Sequence, residues 1–175
     1  MDQASAEAIA RDLVAAHRAR LPFASLRHRL PGPADCHDVQ RAYVTMLRGT
    51  DRVAGYKIGL PTARMQAACG VDEPTAGTVL AGRVHRSGVR VSAGAYVGLG
   101  IDLELCVMLD HDLDAGCTRA DVARNLRSAC AAFELIADRG ADVSCIDGPS
   151  LIADNSWNEG VVVGPAASPG RGVGV

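Results

Sequence analysis

Ile101-Asp102-Leu103-Glu104-Leu105-Cys106-Val107-Met108-Leu109 alternates in a way only an extended strand can use. Successive side chains of a strand point to opposite faces. One face therefore carries Ile101, Leu103, Leu105, Val107 and Leu109, and the other carries Asp102, Glu104, Cys106 and Met108. The two acids lie roughly 7 Å apart along the backbone, beside apolar surface. Carboxylates so placed repel one another and lose hydration, which protonation, a basic partner or a divalent cation relieves. Magnesium and manganese take oxygen ligands and keep open positions for water or substrate oxygens, so two or three protein carboxylates suffice. The same spacing equally describes an edge strand whose acids are solvated, and spacing does not choose between the two.

Working outward toward the C-terminus, Asp110, Asp112 and Asp114 alternate as at the start of a calcium-binding loop. The sixth position is Ala115 where glycine is required, and the twelfth is Asp121, so the stretch reads as a polar turn. Thr118 with Asp121 is a capping pair that opens a helix running toward Cys130. Phe133 to Ala137 and Val161 to Val163 are two further apolar runs of strand length. Glu134, between Phe133 and Leu135, is out of place in such a run unless paired; the plainer alternative is a helix-surface glutamate. Asp154, Asn155 and Ser156 form a polar triplet that suits either a ligand-binding loop or a plain turn.

Toward the N-terminus, Tyr56-Lys57-Ile58-Gly59-Leu60 reads as a short strand stopped by Pro61, followed by a short helix from Arg64 to Cys69. Lys57 interrupts the apolar run and precedes Gly59, where a ligand can approach the backbone closely. It can neutralise a substrate carboxylate or donate a proton, or it is an exposed lysine on an edge. Small strands are expected at Thr78 to Leu80 and Val89 to Val91. Before them, Ile9, Leu13 and Val14 mark an amphipathic helix from Ser5 to Leu21 that Pro22 closes. Beyond the connector Leu30 to Pro33, a second helix places Val39, Tyr43, Met46 and Leu47 on one face.

The pattern predicts one α+β domain over residues 1–164, with a helical part at 1–50, a β-rich catalytic part at 51–164 and a coil tail at 165–175. A net charge of −2, 3% aromatic residues and no block of Lys and Arg argue against a nucleic-acid or membrane-surface partner. Asp2 and Glu7 among alanines do not make a secretory start, which predicts a cytoplasmic protein with a small-molecule ligand. The six cysteines and five histidines show no metal-ligand spacing and read as reduced thiols and unassigned side chains.

Gly55-Tyr56-Lys57-Ile58-Gly59-Leu60, Gly70-Val71-Asp72-Glu73-Pro74 and Ile101-Asp102-Leu103-Glu104-Leu105 occur in an order that resembles the 2-keto-4-pentenoate hydratase family. That family is a branch of the fumarylacetoacetate hydrolase-like superfamily. The resemblance continues through Phe133-Glu134-Leu135-Ile136-Ala137-Asp138-Arg139 and Ala153-Asp154-Asn155-Ser156 to Val161-Val162-Val163-Gly164. It implies N-terminal helices and a mixed, β-rich fumarylacetoacetate hydrolase-like core, incomplete at the C-terminus. It further implies a homo-oligomer and a Mg or Mn ion held by Asp102, Glu104 and Glu134, with Asp102 standing where the family has glutamate. Lys57 would be catalytic, and Gly59, Leu60, Asp154, Asn155 and Ser156 would line the site of a 2-oxo acid substrate. The implied activity is hydration of 2-hydroxypenta-2,4-dienoate or a relative in aromatic-compound catabolism. The alternatives are a 4-oxalocrotonate-type decarboxylase, an acylpyruvate hydrolase, or a truncated inactive subunit. After Pro74 the family has an acid and an aromatic before glycine, whereas this chain has Thr75 and Ala76.

Overall fold

The computed structural model describes residues 1–30, 32–142 and 146–167. Helix α1, Gln3–Arg18, starts where the Asp2 carboxylate accepts the Ser5 N–H at 2.8 Å, a side-chain N-cap. Helix α2, Pro33–Arg48, starts on a proline, whose missing N–H is harmless there, and ends at Gly49 with φ 54°. The two helices bury Ala6, Ile9, Ala10, Leu13 and Val14 against Cys36, Val39 and Tyr43, with Ile152 and Ala153 completing the same core. The helical spacing of Ile9, Leu13, Val14, Val39 and Tyr43 therefore names core positions.

Strand β1, Val53–Gly59, pairs antiparallel with β2, Thr75–Leu80, across the short helix α3, Ala63–Cys69. The remaining strands are β3, Val84–Arg86; β4, Leu99–Leu109; β5, Leu126–Ala137; and β6, Asn158–Val163. They form a mixed four-stranded sheet in the order β3-β6-β5-β4, in which only β3 and β6 run parallel. Helix α4, Arg119–Asn125, and helix α5, Gly148–Ala153, connect it. The α+β architecture with N-terminal helices and a mixed sheet is the one the sequence pattern predicts.

Two boundaries differ from expectation. The capping pair Thr118 and Asp121 does open a helix, but it stops at Asn125 and does not continue toward Cys130. Asn125 is buried, and its side chain accepts from the N–H groups of Asp110 and His111 and donates to the His111 carbonyl. From Leu126 onward the backbone pairs with β4 from Leu109↔Leu126 to Leu99↔Ala137. That ladder overrides the weak strand preference of the Ser128 to Ala132 stretch. The short strand expected at Val89 to Val91 lies instead at Val84–Arg86, where β6 supplies a partner. Gly88, at φ 89°, then turns the chain and Val89 donates to the Arg86 carbonyl.

β4 is an edge strand, and its aliphatic face is open: Leu103 is 83% exposed, Leu105 71% and Ile101 58%, with Phe133 of β5 beside them at 45%. In the segment read as a coil tail, Ala167 bridges to Ala129, so the first residues past β6 add a short tether to β5. Residues 168–175 and Cys145 lie outside the described residues, as does Pro31 of the connector. Among the described residues no helix is long and apolar enough to cross a membrane.

Candidate active site

β1 is inverted relative to an ordinary surface strand. Tyr56 and Ile58 are 75% and 57% exposed, while Lys57 between them turns inward with a side chain only 13% exposed. Room for the lysine comes from glycines. Gly77 is its direct cross-strand partner, and a methyl group there would sit 3.0 Å from the Asn155 carbonyl and 3.2 Å from Lys57 Cγ. A methyl on Gly59 would meet Thr75 Oγ1 at 2.7 Å and Lys57 Nζ at 3.4 Å. Lys57 Nζ and the Thr75 hydroxyl therefore border the same small space, and Ser156 Oγ lies 3.4 Å from Thr75 Oγ1. Gly77→Ala is expected to crowd the lysine stem and destabilise the fold by about 1–3 kcal/mol, measured as a lower urea midpoint with unchanged slope.

The ammonium is directed at Glu134. Lys57 Nζ lies 3.1 Å from Glu134 Oε2, and Asn158 Nδ2 donates to Glu134 Oε1 at 2.8 Å. Glu134 is 1% exposed on a strand, so the helix-surface alternative does not hold. Burial pushes its carboxyl above the usual range, opposed by Lys57 and Asn158, while the charge of Glu104 raises it further. Asp102 is the direct cross-strand partner of Glu134, and Glu104 sits two residues along β4 on the same face. Both are exposed and, among the described residues, neither makes an ion pair, so the acidic pattern that suggested a cation also fits a solvated edge.

The described residues gather no group of three or more His, Cys, Asp or Glu side chains close enough to hold a metal ion. Lys57 and Asn158 engage the Glu134 oxygens, and the two acids of β4 stand on the open edge. In kind, however, the donors suit a hard cation: three carboxylates on one face of adjacent strands, two of them without a basic partner.

The polar triplet is buried, not a surface turn. Asp154 is 2% exposed, Asn155 6% and Ser156 3%. Asn155, Ser156 and Trp157 all take positive φ, at 57°, 52° and 59°, a conformation that disfavours non-glycine side chains. Two anchors hold it. The Asn155 amide accepts from the Thr78 N–H at 2.7 Å and donates to the Thr78 carbonyl at 2.9 Å, extending β2 with a side chain. Asp154 is paired with Arg139, whose guanidinium also lies 5.6 Å over the Phe23 ring. Leu60, also expected at the site, is buried at the end of β1 with φ 50°, and its carbonyl accepts from Gln66 Nε2 at 2.9 Å.

Behind this pair lies a network the sequence did not announce. His17 Nδ1 faces the Tyr43 hydroxyl at 2.9 Å and Arg139 Nη1 at 3.4 Å, while His17 Nε2 lies 3.2 Å from Glu159 Oε1. Arginine can only donate, so Nδ1 is the acceptor and Nε2–H the donor, which is a neutral ring. Burial lowers the His17 pKa to about 4, and the positive charges of Arg139 and Arg83 push the same way. The contact with Glu159 is therefore a hydrogen bond from a neutral imidazole at neutral pH, and the ion pair of Glu159 is the one with Arg83 at 2.7 Å. Thr75, Asn158, Arg139 and His17 are the site-forming residues that spacing alone did not reveal. Their contacts run between segments far apart in the chain.

No protein-family model matches the chain. Among curated proteins it is similar to 2-keto-4-pentenoate hydratase 2 of Dechloromonas aromatica, 30% identical over 168 residues, covering 90% of this chain and 62% of that protein. The 2-keto-4-pentenoate hydratase of Burkholderia vietnamiensis is 30% identical over 152 residues, covering 81% and 55%. The 2-oxo-hept-4-ene-1,7-dioate hydratase of Escherichia coli is 30% identical over 142 residues, covering 74% and 51%. The chain thus spans about half to three fifths of the length of these relatives. Among solved structures, 4-oxalocrotonate decarboxylase from Pseudomonas putida G7, complexed with magnesium and adipate, superposes with a TM-score of 0.85 at 24% identity. The match covers 96% of this chain and 65% of that one. The same enzyme complexed with calcium and acetate gives 0.83 at 23% identity.

Proposed function

We propose that this chain belongs to the fumarylacetoacetate hydrolase-like superfamily, a reading its similarity to the hydratases and to the decarboxylase supports, and carries the site of a metal-assisted lyase acting on a 2-oxo acid from aromatic-compound breakdown. The observation that carries the reading is the buried Glu134, held between Lys57 and Asn158 and facing Asp102 across the β4 and β5 ladder. Asp102, Glu104 and Glu134 would hold a Mg or Mn ion. Such an ion, when bound, polarises a keto oxygen and stabilises enolate charge. The remaining work falls to the chain. Lys57, with the Thr75 and Ser156 hydroxyls beside it, offers donors to an anionic substrate group in a site with little water. Lys57 also stores a proton next to Glu134 for return to the substrate carbon. Asn158 orients the glutamate, and Gly59 leaves space for the substrate between lysine and threonine. Leu60, Asp154 and Asn155 shape the rim.

Decarboxylation of a 4-oxalocrotonate-type acid is the reaction the geometry favours. Losing carbon dioxide requires an electron sink and a returned proton, whereas hydration also requires a group that activates water. Among the described residues, Glu134 is the carboxylate in contact with Lys57, and as a ligand of the proposed ion it would not be free to activate water. Thr75, which stands where the resembling family has an acid, supplies a hydroxyl. Hydration is the second reading, supported by the hydratases among the curated relatives. The exposed aliphatic face of β4 is the kind of surface that a homo-oligomer, as the resemblance implies, would cover.

Purified protein titrated with Mg or Mn is expected to show a rising melting temperature that oxalate, a mimic of the 2-oxo acid chelate, raises further. Glu104→Ala should remove both increments while leaving the metal-free melting temperature unchanged, because Glu104 is exposed and makes no ion pair among the described residues. A panel of 2-oxo acids then separates the reactions: carbon dioxide release identifies the decarboxylase, and a 4-hydroxy-2-oxo acid product identifies the hydratase. Turnover untouched by Glu104→Ala would sink the metal-assisted reading altogether.

A further inference from the structure

Cys106 of β4 and Cys130 of β5 are direct cross-strand partners in the antiparallel ladder. Burial raises the Cys106 thiol above its usual range, and the neighbouring Cys130 adds to the rise. Opposed residues in such a ladder have Cα atoms about 4.5–5.5 Å apart, inside the roughly 4.4–6.8 Å that a disulfide spans. Both cysteines are free in the structure, Cys130 buried at 8% exposure and Cys106 half-buried. The other described cysteines are placed differently: Cys69 and Cys117 lie outside the strand ladders, and Cys36 sits in the helical core.

We infer that Cys106 and Cys130 form a thiol-disulfide exchange site that a low-molecular-weight disulfide such as glutathione disulfide oxidises to a cross-strand disulfide. The difference in exposure sets the order of events. Cys106, the accessible sulfur, gives up its proton and attacks one sulfur of the oxidant; the oxidant's S–S bond breaks and one glutathione thiol leaves. Cys130, its cross-strand partner, gives up its proton and attacks Cys106 Sγ, and the second glutathione thiol leaves. Two protein thiols are oxidised and one small disulfide is reduced to two thiols, so atoms and electrons balance.

The location gives the bond a consequence. Cys106 follows Glu104 by two residues on the same face of β4, and β4 is an edge strand held on one side only. A covalent link there ties the edge strand to β5 at the step next to the acidic pair and fixes the register that sets Asp102 opposite Glu134. The inference concerns the strands and stands whether or not the proposed reaction is correct.

The test uses the full chain and a variant in which Cys36, Cys69, Cys117 and Cys145 are serine. After incubation with glutathione disulfide, mass analysis of proteolytic peptides should show Cys106 and Cys130 joined, with the loss of two hydrogens and no retained glutathione. The melting temperature should rise and return to its starting value with dithiothreitol. Cys130→Ser should instead retain glutathione on Cys106, because the resolving sulfur is gone. Unreacted thiols at both positions, or a stable glutathione adduct on Cys106 when Cys130 is intact, would overturn the proposal.

Discussion

Arg139→Met is expected to destabilise the chain by about 3–5 kcal/mol, lowering the melting temperature on the order of 10 °C for a protein of this size. The side chains of Arg139 and Asp154 are 5% and 0% exposed, and the guanidinium is the charge facing that carboxylate. Methionine fills much of the volume but leaves a buried acid without its counter-charge. Burial already pushes Asp154 up to about 6 against the opposing pull of Arg139, so removing the arginine drives it higher and leaves the acid protonated in the fold. The pH dependence follows in sign. A carboxyl whose folded value exceeds its unfolded value of 3.8 stabilises the fold below 3.8, and that contribution is lost as pH rises through the folded value. The variant should therefore suffer more at pH 8 than at pH 5. Adding Asp154→Leu should recover much of the loss, since the damage is the stranded charge and not the missing pair. Urea unfolding of the unmodified protein, of Arg139→Met, of Asp154→Leu alone and of the double variant at both pH values decides it. A double variant as unstable as Arg139→Met alone would show that the pair stabilises by something other than charge compensation.

In the unmodified protein the same titration is opposed by its neighbour. His17 is held near 4, below its unfolded value of 6.5, so its contribution is full above 6.5 and is lost as pH falls toward 4. Asp154 gains where His17 loses, so these two contributions oppose one another between about pH 4 and 6, while Glu159, also raised by burial, acts in the same direction as Asp154. The coupling also has a structural purpose. The three consecutive residues at positive φ store local strain that only an over-determined surrounding can hold. Asp154 with Arg139, and Asn155 with the Thr78 backbone, provide that surrounding and thereby set Ser156 beside Thr75.

What the sequence made legible was whatever periodicity encodes. The alternation of Ile101 to Leu109 named a strand and correctly put Asp102 and Glu104 on one face. The helical spacing of Ile9, Leu13, Val39 and Tyr43 named the core. A charged residue lodged in an apolar run was a sound signal at both Lys57 and Glu134, because burial without a partner is expensive, and the two prove to be each other's partner. Periodicity failed where pairing decides. Ser128 to Ala132 carries no strand signature, and only the ladder with β4 makes it one. The neutral His17, the Arg83 and Glu159 pair and the Arg139 anchor rest on contacts between residues 15, 76 and 122 positions apart, and no local pattern reports such contacts. The exposure of the β4 aliphatic face was equally illegible, since alternation shows which residues share a face and not what lies over it.

Glu134→Gln should cut metal-assisted turnover by roughly 100-fold or more while leaving a folded protein, the lower bound being set by what outer-sphere changes alone do at metal sites. Glutamine keeps the size and the carbonyl oxygen that accepts from Asn158, so the packing around β5 survives. What disappears is the charge between Lys57 and the acids of β4. Burial disfavours that charge, as the raised Glu134 carboxyl shows, which offsets part of the cost of leaving the Lys57 ammonium without its partner, while a cation that needs carboxylate oxygens loses a ligand. Lys57→Met makes the opposite trade: it strands the buried glutamate, and should raise the Glu134 carboxyl further and reduce stability, most clearly at alkaline pH. The melting-temperature increment on adding Mn, read beside turnover, separates the roles. Glu134→Gln should lose both. Lys57→Met should retain the Mn increment and lose turnover, because in the proposed reaction the lysine acts on substrate and not on the ion. If Glu134→Gln kept the Mn increment in full, Glu134 would be a structural partner of Lys57 and the carboxylates of β4 would have to hold any cation alone.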